Sequence, residues 1–301
     1  MKKTGTAIHK KDKSVVCFGE VLWDVLPTGR VPGGAPMNVA YHLHQHHINT
    51  SVITRIGNDQ PGVDIKKWFA DNGMDTGYFQ VDPEQPTGNV MAIPDEMNNM
   101  RYEISMPVAW DFISMEKDIV PVVQQADYFV FGSLASLNSV SRDTLLSLLD
   151  IAAVKVMDIN LRPPHFSQPA LMELMSKADI LKLNHEELQL VSGWMHVSSD
   201  MKDSIRALSE QLNIPVIIVT RGAAGALNYV NGRFYEHPGY RVQVEDTIGS
   251  GDAFLAGMLI KLMEDSGPEE ALNYASRLGA FVASRKGGCP AYELAEVSDV
   301  K

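Results

Sequence analysis

The stretch DTIGSGDAFLAGML, residues 246–259, decides the fold prediction. The residues after Asp252 are apolar nearly all round, which is typical of a buried helix, and Gly249, Ser250 and Gly251 stand where that helix begins. The glycines let a ligand approach the backbone closely, and free amides at a helix N-terminus bind anions, above all phosphate. Asp252 has two interpretations here: a carboxylate that caps the helix, or a base that takes a proton while the amides hold charge on a transferring phosphoryl group.

Short apolar segments alternate with longer helical patterns on the N-terminal side of this stretch. The predicted strands are VVCFGEV, SVITRIG, YFVFGS, VKVMDIN, ILKLN and VIIVT. The predicted helices are NVAYHLHQHH, GVDIKKWFADNG, SRDTLLSLLDIAA, EELQLVSG and MKDSIRALSEQLN. This order predicts an α/β fold with a mostly parallel sheet covered by helices on both faces, and ligands outside the carboxyl ends of the strands.

One region departs from that alternation. Residues 87–112, TGNVMAIPDEMNNMRYEISMPVAWDF, are typical of two or three strands with turns and no helix, and VLWDVLP at 21–27 can pair with them. We therefore expect a small β-sheet lid formed by about 21–32 and 87–112. Its aromatic residues Trp23, Trp110 and Phe112 either close over a ligand or pack in the core.

Composition excludes several classes of partner. Lys and Arg number 26 against 37 Asp and Glu, so the formal net charge is −11 and the field around the chain repels nucleic acid and anionic membranes. The two cysteines, Cys17 and Cys289, form no disulfide framework or metal motif, which suits the reducing cytoplasm. Residues 1–13 are polar and lysine-rich and predict a disordered tail, with the globular domain over 14–301.

Other motifs point to less specific sites. The chain has neither GxxxxGK[ST] nor a GxGxxG that follows a strand, which argues against a P-loop or dinucleotide site. HEELQ lacks the second histidine of a zinc protease. His42 and His46 lie four residues apart on a predicted helix and can chelate a metal. The alternative for this pair is a half-exposed helix whose last histidines lie near the negative end of its dipole.

Two signatures carry a family resemblance. DTIGSGDAFLAGML resembles the C-terminal signature of the ribokinase-like (PfkB) carbohydrate kinases, and GGAPMNVA at 33–40 resembles their N-terminal one. The similarity runs from Val15 to Ala291 and includes GEVLWD, TRIGNDQPG, INLRPP, LKLNHEE and VTRGAAGAL in the family's order. GEVLWDVLP, GGAPMNVA and NLRPP resemble the fructokinase branch in particular. The resemblance implies a three-layer α/β/α sandwich with a β lid, and transfer of the γ-phosphate of ATP to a sugar hydroxyl.

The resemblance also implies roles for individual residues. Asp252 would be the catalytic base, with Gly249, Ser250 and Gly251 as the anion hole. The residues that would bind the sugar are Asp24, Gly33, Gly34, Asn38, Asn160 and Arg162. The residues that would bind ATP are Asn184, Thr220, Arg221, Gly222 and Gly225, although Arg221 has a surface salt bridge as its alternative. Glu187 completes the family's NxxE motif and would act on Mg²⁺ through water.

Many members of the family also need a monovalent cation beside the anion hole. By the resemblance, the carbonyls of Asp246 and Ile248, with those near Arg285 and Gly287, would face a K⁺ ion. Ala291 stands where the ribokinases have a serine, and this departure leaves the need for K⁺ open.

The sequence leaves several substrates open and predicts an assembly of two subunits. Fructose is the expected sugar, with ribose, 2-keto-3-deoxygluconate or a nucleoside as alternatives, and a non-catalytic sugar-binding protein as an alternative of another class. Because a lone small sheet leaves an apolar face and an open edge, and lid sheets in this family often pair between subunits, we expect a homodimer through the lid. No membrane or nucleic-acid partner is expected.

Overall fold

The computed structural model describes residues 13–26, 29–94, 100–197 and 200–301. The tail expected at 1–13 lies outside the described residues except for Lys13, whose Nζ lies 2.8 Å from Asp265 Oδ1.

A nine-stranded sheet forms the centre of the molecule, in the order β13-β12-β11-β10-β9-β8-β1-β4-β5. Its strands are β1 Ser14–Phe18, β4 Asn49–Gly57, β5 Phe79–Asp82, β8 Tyr128–Gly132, β9 Lys155–Asp158, β10 Ile180–Asn184, β11 Val216–Thr220, β12 Ala226–Val230 and β13 Arg233–His237. All neighbours are parallel except the β11–β12 and β12–β13 pairs, which are antiparallel. The six predicted strands are all present, and the predicted mostly parallel sheet is confirmed.

Helices cover both faces of this sheet. They are α1 Ala35–Gln45, α2 Gln60–Asp71, α3 Ile119–Gln125, α4 Ser139–Leu149, α5 Gln168–Met175, α6 His185–Trp194, α7 Met201–Leu212, α8 Ser250–Met263, α9 Pro268–Ala283 and α10 Leu294–Ser298. Buried side chains of α1, α2, α8 and α9 form one apolar cluster, and those of α4, α5, α6 and α7 form a second. Two cores separated by a sheet give the expected three-layer α/β/α sandwich.

A second sheet has four strands in the order β3-β2-β6-β7. They are β2 Leu22–Leu26, β3 Gly29–Gly33, β6 Gly88–Pro94 and β7 Met100–Ile104. The predicted pairing of the two segments is present, since Leu22 of β2 lies opposite Gly88 of β6 in a parallel pair. This sheet is the small additional layer that the sequence predicts.

The end of the segment 87–112 packs against the helices of the nine-stranded sheet and is not part of the four-stranded sheet. Ala109–Phe112 forms a 3₁₀ helix, where the sequence predicts no helix. Trp110 in it is fully buried, and its carbonyl accepts a hydrogen bond of 2.6 Å from Ser141 Oγ of α4. Trp23 is also buried, and its Nε1 donates to the Pro61 carbonyl over 3.0 Å. Both tryptophans therefore pack in the core, which is the second of the two roles considered for the aromatic residues of this region.

The helices of the four described ranges include none that is both long and apolar enough to cross a membrane.

Candidate functional site

The first turn of α8 lies against the loop that follows α9. Gly249 is the N-cap residue, and its φ of 73° lies in the left-handed region. A Cβ on Gly249 would overlap the backbone of Gly288, so only glycine allows the two loops to approach this closely. The amides of the first helical turn have no partner within the helix, so this turn can hold an anion.

Asp252 lies in that turn and is almost completely enclosed. Its side chain is buried, and its Oδ2 accepts a hydrogen bond of 2.8 Å from Asn38 Nδ2. Burial, with a smaller contribution from Asp158, raises the pKa of Asp252 to about 6, and Lys182 opposes the shift. A carboxylate with this pKa is ionised at neutral pH and close to the pKa that suits a general base.

An ion pair on the neighbouring strands β9 and β10 lies beneath the turn. Asp158 and Lys182 are register partners on these strands, and Lys182 Nζ lies 2.6 Å from Asp158 Oδ2. Both side chains are buried, and a Cβ on Gly251 would lie 3.4 Å from the same Nζ. The lysine therefore places a positive charge at the start of α8, in a position that the sequence did not reveal.

The predicted sugar-binding residues approach Asp252 from the second sheet and the β9 loop. Asp24 lies on β2, and a Cβ on Gly33 of β3 would overlap its carboxylate. Burial raises the pKa of Asp24 to about 6, while Arg162 lowers it and Asp252 raises it. Because each of these charges acts on Asp24, the three side chains lie close enough to interact electrostatically.

The loop after β9 and the start of α1 supply the remaining three predicted sugar-binding residues. Asn160 adopts a φ of 44° in the loop that carries Arg162. Gly34, with a φ of 113°, is the N-cap residue of α1, and Asn38 lies in the first turns of the same helix. All of these residues lie at the carboxyl ends of the strands or in the segments that follow them.

A further carboxyl near these charges was not predicted. Glu20 follows β1, is buried, and has no hydrogen-bond partner for its Oε2. Burial raises the pKa of Glu20 to about 7, with Arg162 lowering it and Asp252 raising it. Glu20 therefore belongs to the same group of charges, although the sequence presents it only as part of GEVLWD.

Asn184 and Glu187 form a reciprocal cap at the start of α6. Glu187 N donates to Asn184 Oδ1 over 2.9 Å, and Asn184 N donates to Glu187 Oε2 over 2.7 Å. Glu187 Oε1 also accepts from Leu161 N over 2.7 Å, which fixes the loop that carries Arg162. In the described ranges no three His, Cys, Asp or Glu side chains are grouped to hold a metal directly.

A cleft of about 490 Å³ opens beside this cap. The residues that line it are Asn184, His185, Glu186, Met201, Thr220, Arg221, Gly222 and Ala224. Arg221 Nη1 donates to Glu236 Oε1 over 2.8 Å, so the structure contains the salt bridge that was the alternative for this residue. A Cβ on Gly225 would overlap the backbone at His237, so Gly225 serves the packing of the β12–β13 hairpin.

Asp246 joins the loop before α8 to the loop after α9. Its Oδ1 accepts from Ile248 N over 3.0 Å, and its Oδ2 accepts from Gly287 N over 3.1 Å. The side chain of Asp246 is thus occupied by backbone amides. The carbonyl groups proposed for a monovalent cation lie in these two loops.

Comparison with known proteins identifies the family. The profile of the pfkB family carbohydrate kinases matches residues 4–294. The chain belongs to this family. A fructokinase of Klebsiella pneumoniae is 28% identical over 296 residues, which cover 91% of this chain and 94% of that protein. The kinase is therefore a phosphotransferase that acts on a sugar hydroxyl.

Solved structures agree with this assignment of the kinase. A fructokinase from Xylella fastidiosa with bound ATP gives a TM-score of 0.85 at 25% identity and covers 95% of this chain and 97% of that one. An aminoimidazole riboside kinase from Salmonella enterica, complexed with aminoimidazole riboside and an ATP analog, gives a TM-score of 0.81 at 25% identity. The match covers 95% of this chain and 99% of that one. The kinase thus has the ribokinase-like fold.

His42 differs from both sequence interpretations, whereas His46 is the partly buried C-cap residue of α1 and lies near the negative end of its dipole. His42 is fully buried, so it does not lie on a half-exposed face. All four ring nitrogens of His42 and His46 are hydrogen-bonded to this kinase's own carbonyl or tyrosine hydroxyl groups. The pair is therefore not arranged as a chelate.

Proposed function

We propose that this carbohydrate kinase transfers the γ-phosphate of ATP to a hydroxyl of fructose, with Asp252 as the catalytic base. The observation that carries the proposal is the position of Asp252: buried at the start of α8, beside the Gly249 turn, with a pKa raised to about 6. A carboxylate beside an anion site repels a resting phosphate. It is useful there when it takes a proton from an attacking hydroxyl.

The proposed reaction uses groups already described. Asp24 and Arg162, with Gly33, Gly34, Asn38 and Asn160 around them, hold the sugar. The sugar hydroxyl attacks the γ-phosphorus as its proton passes to an oxygen of Asp252, and the bond from that phosphorus to the ADP oxygen breaks. The amides of Gly249, Ser250 and Gly251 hold the charge on the transferring group. Asn38 fixes the carboxylate through the bond to its Oδ2.

The nucleotide and its cations are assigned to the adjoining cleft. Asn184, Thr220 and Gly222 line it and are the groups proposed to bind ATP, with Arg221 and Gly225 supporting the loop through their contacts within the hairpin. Mg²⁺ would neutralise charge on the phosphates and hold them in line. Glu187 would act on it through water, and the buried Asp158 Oδ1 without a hydrogen-bond partner fits a site that receives a cation. The carbonyls of Asp246 and Ile248 would face a K⁺ ion.

Fructose is proposed as the substrate because fructokinases are among the relatives and structural neighbours. The Salmonella riboside kinase supports a nucleoside as the second candidate. The cluster of Asp24, Arg162 and Glu20 favours a small polyol, since carboxylates and a guanidinium match several hydroxyl groups. We also propose that the four-stranded sheet closes over the sugar, that it pairs two subunits, and that the enzyme works in the cytoplasm.

The test is ADP release from Mg·ATP with fructose, ribose, glucose, 2-keto-3-deoxygluconate and adenosine as separate acceptors. Strong release with fructose, lowered about a hundredfold or more in Asp252→Asn, is the expected result. Asp299→Asn, which changes an exposed carboxylate, is the matched control and should behave as the unchanged enzyme. Release with adenosine alone would replace fructose by a nucleoside, and near-normal turnover in Asp252→Asn would remove Asp252 as the base.

A further inference from the structure

One face of α1 holds the loop that follows α9. Asn38, Tyr41 and His42 are spaced three and four residues apart, so they lie on the same side of the helix. Each contacts residues 287–292, here called the C-terminal loop. Cys289 Sγ donates to Asn38 Oδ1 over 3.2 Å, and Tyr41 OH donates to the Pro290 carbonyl over 2.8 Å.

His42 makes two of these contacts and is the most deeply buried of the three polar groups. Its Nε2 lies 2.9 Å from the carbonyl oxygen of Gly288, and its Nδ1 lies 3.0 Å from the hydroxyl of Tyr292. A carbonyl can only accept, so Nε2 carries the proton and Nδ1 accepts from the tyrosine. Burial lowers the pKa of His42 to about 4, which keeps this neutral arrangement at physiological pH.

The C-terminal loop in turn forms the wall of the anion site. A Cβ on Gly249 would overlap the backbone of Gly288, and a Cβ on Gly288 would meet the side chain of Asn38. The amide of Gly287 donates to Asp246, which lies in the loop that leads into Gly249. The position of the C-terminal loop therefore sets the position of the glycine turn and of the Asn38 amide that bonds Asp252.

We propose that His42 is a positioning residue for phosphoryl transfer, because it locks the C-terminal loop against the glycine turn at the start of α8. The inference rests on the proposed function of that turn. His42 touches neither the sugar nor the nucleotide in this arrangement. It acts through Gly288 and Tyr292 on the residues that face the transferring phosphoryl group.

The position of His42 predicts which kinetic constant changes when it is lost. Asp24 and Arg162, the charged groups among the proposed sugar contacts, lie on β2 and after β9, whereas Asn38, a further proposed contact, is hydrogen-bonded to the C-terminal loop. Loss of the lock should therefore lower kcat by a larger factor than it raises the KM for the sugar, since the lock acts mainly on the groups that face the transferring phosphoryl group. A residue that only stabilises the fold would change neither constant in the fraction of enzyme that is folded.

Cys289 provides a measurement that needs no turnover. Cys289 lies in the C-terminal loop as a partly exposed residue whose thiol is hydrogen-bonded to Asn38, and burial raises the pKa of that thiol. Cys17, the other cysteine in the sequence, is completely buried in the sheet. The rate at which an aromatic disulfide reagent labels the folded protein therefore reports local opening of this loop. Labelling and kinetics are measured on the same preparations of the full-length enzyme.

Three variants separate the lock from general effects. His42→Leu removes both hydrogen bonds, and His42→Gln can still donate to the Gly288 carbonyl. His46→Gln is the matched control, since His46 lies one turn further on and bonds the His42 carbonyl and the Tyr274 hydroxyl. For His42→Leu we expect kcat to fall about tenfold and Cys289 labelling to accelerate about tenfold. His42→Gln should recover most of both, and His46→Gln should match the unchanged enzyme in kcat and labelling rate.

Unchanged kcat and labelling rate in a folded His42→Leu enzyme would overturn the proposal, as would equal losses in His42→Leu and His42→Gln. If His42→Leu does not fold, Tyr292→Phe takes its place, because it removes only the hydroxyl that His42 accepts from. A several-fold faster labelling then supports the lock, and an unchanged rate overturns it. An unchanged enzyme that releases no ADP with any acceptor refutes the proposed function, and the labelling rates then decide by themselves whether His42 fixes the loop.

Discussion

Replacing Asp252 with asparagine should make the folded enzyme more stable at alkaline pH while it removes turnover. The pKa of Asp252 is raised from 3.8 to about 6, chiefly by burial. A carboxyl whose pKa rises on folding binds its proton more tightly in the folded state. Stability therefore falls as pH rises from about 4 through about 6, and the whole penalty is present above that range. Asparagine carries no charge and keeps an oxygen that can accept from Asn38.

The magnitude follows from the two pKa values. A difference of about two pH units at 1.36 kcal/mol per unit corresponds to about 3 kcal/mol at pH 8 and about half of that at pH 5. Attraction to Lys182 and Arg162 is already contained in the raised pKa, so it adds no separate contribution. Asp252→Asn should thus unfold at higher urea concentration than the unchanged enzyme, with the larger difference at pH 8.

The assay is urea unfolding of both proteins at pH 5 and pH 8, followed by tryptophan fluorescence. Asp299→Asn serves as the control, since its carboxylate is exposed and should give no gain that depends on pH. A variant that is no more stable at pH 8, or that differs by the same amount at both pH values, would refute the reasoning. Such a result would mean that the folded protein does not disfavour the charge on Asp252.

Three further results are expected. With Asp252 as the base and a pKa of about 6, kcat/KM should fall about tenfold per pH unit below that value, and a flat profile of ADP release between pH 5 and 8 would contradict the assignment. Lys182→Met should lower the free energy of unfolding by about 3–5 kcal/mol, because it leaves the Asp158 charge buried alone. Adding Asp158→Asn should restore most of that loss in urea unfolding, and a double variant as unstable as the single one would argue against the pair. Gly249→Ala should lower both the melting temperature and kcat, since a Cβ there overlaps Gly288, and normal values of both would show that the turn tolerates a side chain.

The parallel part of the fold could be predicted because buried parallel strands are continuous apolar segments. The edge of the sheet was not predicted. β12 and β13 are joined by Asn231 and Gly232, with φ values of 47° and 90°, and Asn-Gly is a common hairpin signal. The segment ALNYVNGRFYEH contains this signal between two segments rich in aromatic and apolar residues. The 3₁₀ helix at Ala109–Phe112 was missed because its stability comes from contacts with α4, which local patterns do not contain.

The site shows the same division. Asp252 and its glycines could be identified because they are contiguous in sequence, and their chemistry is visible in one motif. Lys182 and Asp158 could not, since they meet only through the register of β9 and β10. The contact between His42 and Gly288 could not be predicted either, because the two residues lie 246 positions apart in the sequence.

The distance between His42 and Gly288 also orders the events of protein synthesis. The last strand of the nine-stranded sheet ends at His237, whereas α8 begins at Ser250 and the C-terminal loop follows α9. A nascent chain can bury its central strands while the residues that complete the site are still untranslated, because domains form from the N-terminus during translation. Catalytic competence therefore requires the segment from α8 to the C-terminal loop, and a nascent chain gains it only after that segment has been made.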